Sequence, residues 1–188
     1  MFPLNLANAL TLLRIRAVPV VEVALLGETP NGDTLAAAVF ALAALTDGLD
    51  GYFARSRDAV TTFGKLMDPL ADKLLITAAF VSIVQMDLAP AWMVAVILGR
   101  ELLVTVLRSV AHARGVVIAA SPLGKVKMVA EVTAILALIL GREHLQQFFV
   151  LGIIALWVAL ITALVSGIDY YRKFNHLLSQ GGGARERS

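Results

Sequence analysis

The sequence contains no cysteine and little charge. Of its 188 residues, 16% are charged and 7% are aromatic. Without cysteine the chain can form neither a disulfide nor a thiolate-bound zinc or iron–sulfur site, so oxygen or imidazole must hold any metal. The net charge is only +2, and no basic stripe is interleaved with aromatic residues, so nucleic acid is excluded as the expected partner.

Hydrophobic residues, by contrast, make up 59% of the chain, and the mean hydropathy is +0.80. Because a transmembrane helix needs roughly 20 apolar residues, this length accommodates about six spans. Glycine, proline and charge interrupt the apolar runs and predict helices near residues 4–26, 33–55, 62–86, 90–114, 123–140 and 145–173. We expect an all-α integral membrane protein, a six-transmembrane-helix bundle over residues 1–175 with a polar, disordered tail over residues 176–188.

The connections between these helices differ in charge on the two sides of the membrane. On one side the only basic residue is Arg142. By the positive-inside rule the other side is cytoplasmic, which places both termini inside. Residues 1–30 lack the pattern of a cleaved signal peptide, so we expect the N-terminus to be retained. The predicted spans and their orientation indicate a multi-pass protein of the cell (inner) membrane. The basic residues of the cytoplasmic side are Arg55, Arg57, Lys65, Arg114, Lys125, Lys127, Arg172 and Lys173.

Four aspartates lie near the cytoplasmic ends of two neighbouring predicted spans. Asp47 and Asp50 end the second span, and Asp68 and Asp72 begin the third. Spacings of three and four residues place each pair on one helix face. Carboxylates at membrane depth cost about 2.5–3.5 kcal/mol each and repel one another unless cations neutralise them. The pattern favours a divalent-metal site, with Mg²⁺ or Mn²⁺ as the ions that oxygen ligands prefer.

An alternative is that these aspartates cap helix ends or pair with Lys73, Arg55 and Arg57 in the headgroup zone. Small residues around the acids favour the site instead, because they let another helix or a flat ligand approach the backbone. These small residues are Gly48, Gly51, Ala54 and Gly64.

The spacing of the acids and small residues resembles the motif of the CDP-alcohol phosphotransferase family, D-x-x-D-G-x-x-A-R-x8-G-x3-D-x3-D. The resemblance implies six membrane helices, a homodimer and two metal ions, Mg²⁺ or Mn²⁺, held by Asp47, Asp50 and Asp68. Asp72 would complete the metal site and take the proton of the acceptor alcohol. The implied CDP-lipid contacts are Asn8, Thr11, Gly51, Ala54, Arg55, Thr61 and Gly64.

The fourth and fifth predicted spans carry cations that could bind the phosphate of a second substrate. Arg100 and Arg108 are eight residues apart and so share a helix face, and Lys125 and Lys127 follow in the next segment. Arginine and lysine together suit a phosphate-bearing acceptor such as glycerol 3-phosphate, and Glu101 could orient one arginine. Alternatively, the two lysines contact anionic headgroups; on a regular helix they cannot both point the same way.

The pattern R-E-x6-R followed by G-K-x-K resembles the branch of the family that joins CDP-diacylglycerol to glycerol 3-phosphate. Met128 and Glu131 stand where that branch commonly has threonine and glutamine. Serine, inositol phosphate and phosphatidylglycerol therefore remain alternative acceptors. A non-enzymatic alternative is a divalent-cation transporter, but acidic residues do not continue across the remaining spans.

Overall fold

The chain is helical through most of the residues that the structure describes. This computed structural model describes the backbone of residues 6–27, 30–53, 62–113, 122–143 and 146–182, and the side chains of residues 12–27, 30–46, 70–71, 73–113, 123–142 and 147–175. These ranges contain six helices, which are α1 (Leu6–Leu26), α2 (Gly32–Phe53), α3 (Thr62–Gln85), α4 (Ala91–Ala113), α5 (Pro122–Glu143) and α6 (Gln146–Gly182).

These six helices confirm the all-α prediction for the described residues. Their ends lie within one turn of the predicted positions, except that α6 continues to Gly182 rather than ending near residue 173. The residues after position 173 include good helix formers and no proline, and the helix ends only in the glycine run. The helix therefore includes the first part of the segment predicted to be a tail, whereas residues 183–188 lie outside the described residues.

The chain divides into two compact units. Unit 1 comprises Met1–Pro90 and Val132–Ile154, and unit 2 comprises Ala91–Glu131 and Ala155–Ser188. Helices α1 to α3 thus belong to unit 1 and α4 to unit 2, while α5 and α6 contribute one part to each. The single membrane domain over residues 1–175 stays a prediction.

In unit 1, helix α1 packs against both α2 and α3. Side chains of this core that are almost completely buried include Val21 from α1, Phe40 from α2, and Phe80 and Ile83 from α3. Alanine occupies many of the other inward positions, which lets the helix backbones approach closely. These buried alanines are Ala17, Ala24, Ala36, Ala37, Ala43, Ala71 and Ala79.

The part of α5 and α6 that belongs to unit 1 forms a tightly packed pair. A Cβ atom built on Gly141 would lie 2.4 Å from the backbone nitrogen of Phe149, so only glycine fits there. A Cβ atom on Gly152 would lie 2.7 Å from Cγ of Leu138. At the same end of α5, the Arg142 guanidinium lies 3.7 Å from the carboxylate of Asp33 in the first turn of α2.

In unit 2, helices α4 and α6 lie side by side and run in the same direction. The Trp92 and Trp157 rings meet edge to face, with centroids 6.1 Å apart. Further along, Arg100 contacts Ser166. Later α4 positions thus meet later α6 positions, as expected for two helices that cross a bilayer in the same sense. The buried residues of α4 are Met93, Val94, Ile97, Val104 and Ala111.

One segment within the described residues, Gln147–Asn175 of α6, is long and apolar enough to cross a membrane by length and composition. Shorter apolar stretches occupy Gly32–Thr46 and Lys73–Gln85. Helix α4 interrupts its apolar run with charge at positions 100, 101 and 108, which lowers its hydropathy. Six spans therefore remain a prediction.

Candidate active site

The acidic motif lies on two helices of unit 1 that contact each other. Asp47 and Asp50 belong to α2, and Asp68 and Asp72 belong to α3. The predicted helical backbone is confirmed at all four positions, so the spacings of three and four residues place each pair on one helical stripe.

Helical register relates these positions to the core of unit 1. In α2 the buried residues Ala36, Phe40 and Ala43 recur every three or four residues, and the same register continues to positions 47 and 50. In α3 the buried residues Leu75 and Ala79 continue back to positions 72 and 68. The four acidic positions therefore extend the inward stripes of their helices.

The side chains of the motif lie outside the described residues. This holds for Asp47, Asp50, Asp68 and Asp72 and for Asn8, Thr11, Gly51 and Gly64, whose backbone is helical. Ala54, Arg55 and Thr61 lie outside the described backbone as well. Among the side chains that are described, no three histidine, aspartate or glutamate residues are grouped to hold a metal ion. As a donor set, four carboxylates on two contacting helices fit hard divalent cations, which prefer oxygen ligands.

Arg100 is held between α4 and α6 in unit 2. Its Nη1 donates a hydrogen bond to Oε1 of Glu101 at 2.6 Å, and its Nη2 donates one to Oγ of Ser166 at 2.7 Å. The next residue, Gly167, leaves room for the arginine stem, since a Cβ atom there would lie 3.2 Å from Cγ of Arg100. The buried Nε donates to no acceptor among the described residues. The guanidinium therefore keeps donor capacity beyond its two contacts.

Lys127 joins two carboxylates. Its Nζ forms an ion pair with Oε1 of Glu101 and lies 3.2 Å from Oε1 of Glu131, one turn further along α5. Lys127 and Glu131 are 5% and 3% exposed, so both charges are withdrawn from solvent. We call Arg100, Glu101, Lys127 and Glu131 the ion-pair cluster. It brings two basic side chains together with two acidic ones.

Arg108 lies two turns beyond Arg100 on α4 and has a different environment. Its Nη2 donates a hydrogen bond to the Tyr170 hydroxyl at 2.8 Å, and its Cζ lies 5.4 Å from the centre of the tyrosine ring. Tyr170 is buried, whereas Arg108 is exposed. Because the hydroxyl is a neutral acceptor, this contact orients the guanidinium without neutralising it.

Of the residues proposed for the acceptor phosphate, the structure brings Arg100, Glu101 and Lys127 into direct contact. Lys127 is buried in the cluster and Lys125 is exposed, so the two lysines point in different directions, as the helix geometry required. Ser166 and Tyr170, which contact the two arginines, were not among the predicted site residues. Their separation of four residues, about one helical turn, was the available signal.

Comparison with known proteins identifies the class. A family model described as CDP-alcohol phosphatidyltransferase matches residues 4–165. The chain belongs to this family, whose members are membrane enzymes. It is therefore a phosphatidyltransferase.

Curated relatives agree with this membership. A protein of Bacillus subtilis (strain 168) named CDP-diacylglycerol–glycerol-3-phosphate 3-phosphatidyltransferase is 45% identical over 182 residues, covering 90% of this chain and 94% of its own. One of the same name from Rickettsia felis is 36% identical, covering 89% and 94%. A probable phosphatidylglycerophosphate synthase of Mycobacterium tuberculosis is 38% identical, covering 97% and 86%.

Proposed function

We propose that this enzyme transfers the phosphatidyl group of CDP-diacylglycerol to glycerol 3-phosphate, which gives phosphatidylglycerophosphate and CMP. The names of the relatives support this choice of substrates. The observation that carries it here is the cation set of unit 2. Arg100 and Lys127 keep donors after their contacts with described residues, and Arg108 presents a charge that tyrosine does not neutralise. Such groups suit a phosphate dianion.

The reaction is a single displacement at phosphorus. A hydroxyl oxygen of glycerol 3-phosphate forms a bond to the phosphorus that carries diacylglycerol, and the bond from that phosphorus to CMP breaks. CMP leaves with the electron pair, and Asp72 takes the proton of the attacking hydroxyl as the transition state forms. No covalent intermediate on the enzyme is required.

Asp47, Asp50, Asp68 and Asp72 would hold two divalent cations, Mg²⁺ or Mn²⁺. The ions supply positive charge that stabilises the diphosphate and the departing CMP. The donor chemistry of four aspartates on two contacting helices supports this assignment. The proposed contacts of the CDP-lipid are Asn8, Thr11, Gly51, Ala54, Arg55, Thr61 and Gly64.

For the acceptor, Arg100, Arg108, Lys125 and Lys127 are proposed to bind the phosphate, with Glu101 orienting Arg100. The short contact between Glu101 and Arg100 supports that orienting role. Lys125 has a separate position on the exposed side of α5 and so contributes charge rather than a buried hydrogen bond.

The proposal places the enzyme in the cell (inner) membrane as a homodimer with six spans. The termini and the metal-binding aspartates lie on the cytoplasmic side. The basic residues that the positive-inside rule counts support this orientation. Of the four whose side chains are described, Lys127 is buried in the ion-pair cluster, whereas Lys125, Arg172 and Lys173 are exposed.

The experiment offers CDP-diacylglycerol with four acceptors in separate reactions and measures CMP release from purified enzyme in detergent with Mg²⁺ or Mn²⁺. Glycerol 3-phosphate should give the highest kcat/KM, and serine, inositol phosphate and phosphatidylglycerol should give little product. Equal turnover with another acceptor would contradict the proposed acceptor and leave the family reaction standing. Divalent-cation flux in proteoliposomes without CMP release would favour transport.

A further inference from the structure

The carboxylate of Glu131 has no place in the reaction described above. It is buried at 3% exposure, it belongs to α5, and its described partner is the Lys127 ammonium at 3.2 Å. Lys127 already has a carboxylate partner in Glu101, which also binds Arg100. A second buried carboxylate on the same lysine is costly to desolvate, so stability alone gives no reason for it.

Charge balance distinguishes the two carboxylates. With Glu131 ionised, the ion-pair cluster has two cations and two carboxylates, so it adds no net charge to the acceptor site. Among the described residues, no carboxylate pairs with Arg108 or Lys125, so the positive charge that remains in the proposed phosphate-binding set rests on these two exposed side chains. These two charges match a phosphate monoester, which carries about −2 near neutral pH.

Donor count points the same way. An ammonium has three N–H donors and no acceptor, and Lys127 donates one hydrogen bond to Glu101. Oε1 of Glu131 lies 3.2 Å from Nζ of Lys127 but accepts no hydrogen bond among the described residues, so Lys127 keeps donors for a ligand. An amide at position 131 would have nearly the same size as the carboxylate but would carry no charge to offset that of Lys127. Glu131 therefore affects the electrostatic potential around the Lys127 ammonium more than it affects where that side chain lies.

We infer that Glu131 is a specificity-determining residue that lowers the affinity of the acceptor site for phosphate by offsetting the charge of Lys127. This inference rests on the proposed function. Weaker ground-state binding does not slow the reaction when the acceptor is abundant, and it allows a phosphate-bearing product to leave. Removing the charge should therefore tighten the binding of every phosphate monoester.

The test measures steady-state kinetics of Glu131→Gln and Glu131→Met, two neutral replacements of similar size. The KM for glycerol 3-phosphate and the inhibition constant of inorganic phosphate against it should both fall by about fivefold or more, because one additional positive charge acts on a dianion in a site of low dielectric constant. The KM for CDP-diacylglycerol should change less than about twofold, and kcat should not rise. Glu131→Asp, which keeps the charge, should resemble the unaltered enzyme.

Asp169→Asn is the matched control. Asp169 pairs with Lys173 one turn along α6 at 2.7 Å, so the change again removes a carboxylate from a lysine, but at an exposed position of unit 2. It should alter neither the KM for glycerol 3-phosphate nor the phosphate inhibition constant. If Asp169→Asn lowers both as much as Glu131→Gln does, the effect is that of net charge and the inference is wrong.

An unchanged or raised KM in a folded neutral variant would overturn the inference. Failure of both neutral variants to fold would also overturn it, because Glu131 would then be a structural counter-ion. These results are separate from failure of the proposed function, in which the unaltered enzyme would release no CMP with glycerol 3-phosphate.

Discussion

The acidic motif of unit 1 and the ion-pair cluster of unit 2 place charge in apolar helices in opposite ways. The motif has acids of one sign, with Asp47 and Asp50 on α2 and Asp68 and Asp72 on α3. The cluster mixes signs, and each of its cations contacts a carboxylate of the same unit. Buried charge must be compensated in either case. The motif is expected to obtain its compensation from bound cations, whereas the cluster has it within the protein.

This difference determines how each region should respond to substitution. In a site with charge of one sign, each carboxylate contributes directly to ion binding, so losing one removes a ligand that nothing replaces. In a cluster of mixed sign, neighbouring side chains can redistribute their contacts. Single substitutions there should therefore change the affinity for the acceptor, and by less than substitutions in the motif change turnover. Substitutions in the two regions should therefore differ in the size of their effect and in the substrate affected.

The largest effect is expected in the motif. Asp68→Asn should reduce turnover by about a hundredfold or more, because the amide removes an anionic oxygen from a divalent cation that stabilises the transition state. The same is expected for Asp47→Asn, Asp50→Asn and Asp72→Asn. The loss of turnover is measured as CMP release over a series of Mg²⁺ and Mn²⁺ concentrations. Variants of Asp47, Asp50 and Asp68, which are proposed to act only as metal ligands, should require higher metal concentrations. EDTA should abolish activity of the unaltered enzyme.

Asp87→Asn is the control for the motif. Asp87 lies in unit 1, just after α3, and is exposed with φ of 57°, a conformation that asparagine also tolerates. The same chemical change should leave turnover and metal dependence unaltered there. Full activity of the unaltered enzyme in EDTA would contradict the proposal that turnover requires bound divalent cations.

The next effect is expected at Arg108. Arg108→Ala should raise the KM for glycerol 3-phosphate by about tenfold or more, because a charge-assisted phosphate contact is worth roughly 1.5–3 kcal/mol. The KM for CDP-diacylglycerol should change little, and Arg108→Lys should restore part of the loss. Arg100→Ala should act in the same direction. Arg172→Ala, an exposed arginine on α6, is the control. An equal rise in the KM values for both substrates would indicate a structural role of Arg108 instead.

Sequence patterns predicted one region better than the other. Apolar runs and their interruptions gave the six helices because hydrophobicity and helix termination are local properties. The motif could be found because its acids have fixed spacings within two adjacent helices. The partners of the cations could not, since Arg100 meets Ser166 and Arg108 meets Tyr170 only through the packing of helices distant in sequence. The end of α6 was misjudged because polar composition does not by itself stop a helix.

A smaller effect is expected from Tyr170→Phe. The ring would remain under the guanidinium, and the hydroxyl that accepts a hydrogen bond from Arg108 at 2.8 Å would be lost. Because the hydroxyl orients Arg108 and the charge of Arg108 remains, the KM for glycerol 3-phosphate should rise by about twofold to fivefold, less than in Arg108→Ala. In the Arg108→Ala background the same change should add little, and a double-mutant cycle measures that coupling. If the two substitutions raise the KM for glycerol 3-phosphate independently and additively, Tyr170 does not act through Arg108.

The smallest effect is expected from a single methyl group beside Arg100. In Gly167→Ala the new Cβ atom would lie 3.2 Å from Cγ of Arg100, so the arginine stem must shift by a few tenths of an ångström, which its flexibility allows. We expect the KM for glycerol 3-phosphate to rise by only about twofold to threefold, since the guanidinium can keep its contacts to Glu101 and Ser166.

Gly99→Ala is the matched control, because a Cβ atom there meets nothing within 4 Å. Alanine favours helix over glycine by about 0.4–1 kcal/mol, so Gly99→Ala should raise the Tm in detergent and leave both KM values unchanged. A larger rise in the KM for glycerol 3-phosphate in Gly167→Ala, or an equal rise in both variants, would mean that the contacts of the ion-pair cluster do not adjust as proposed.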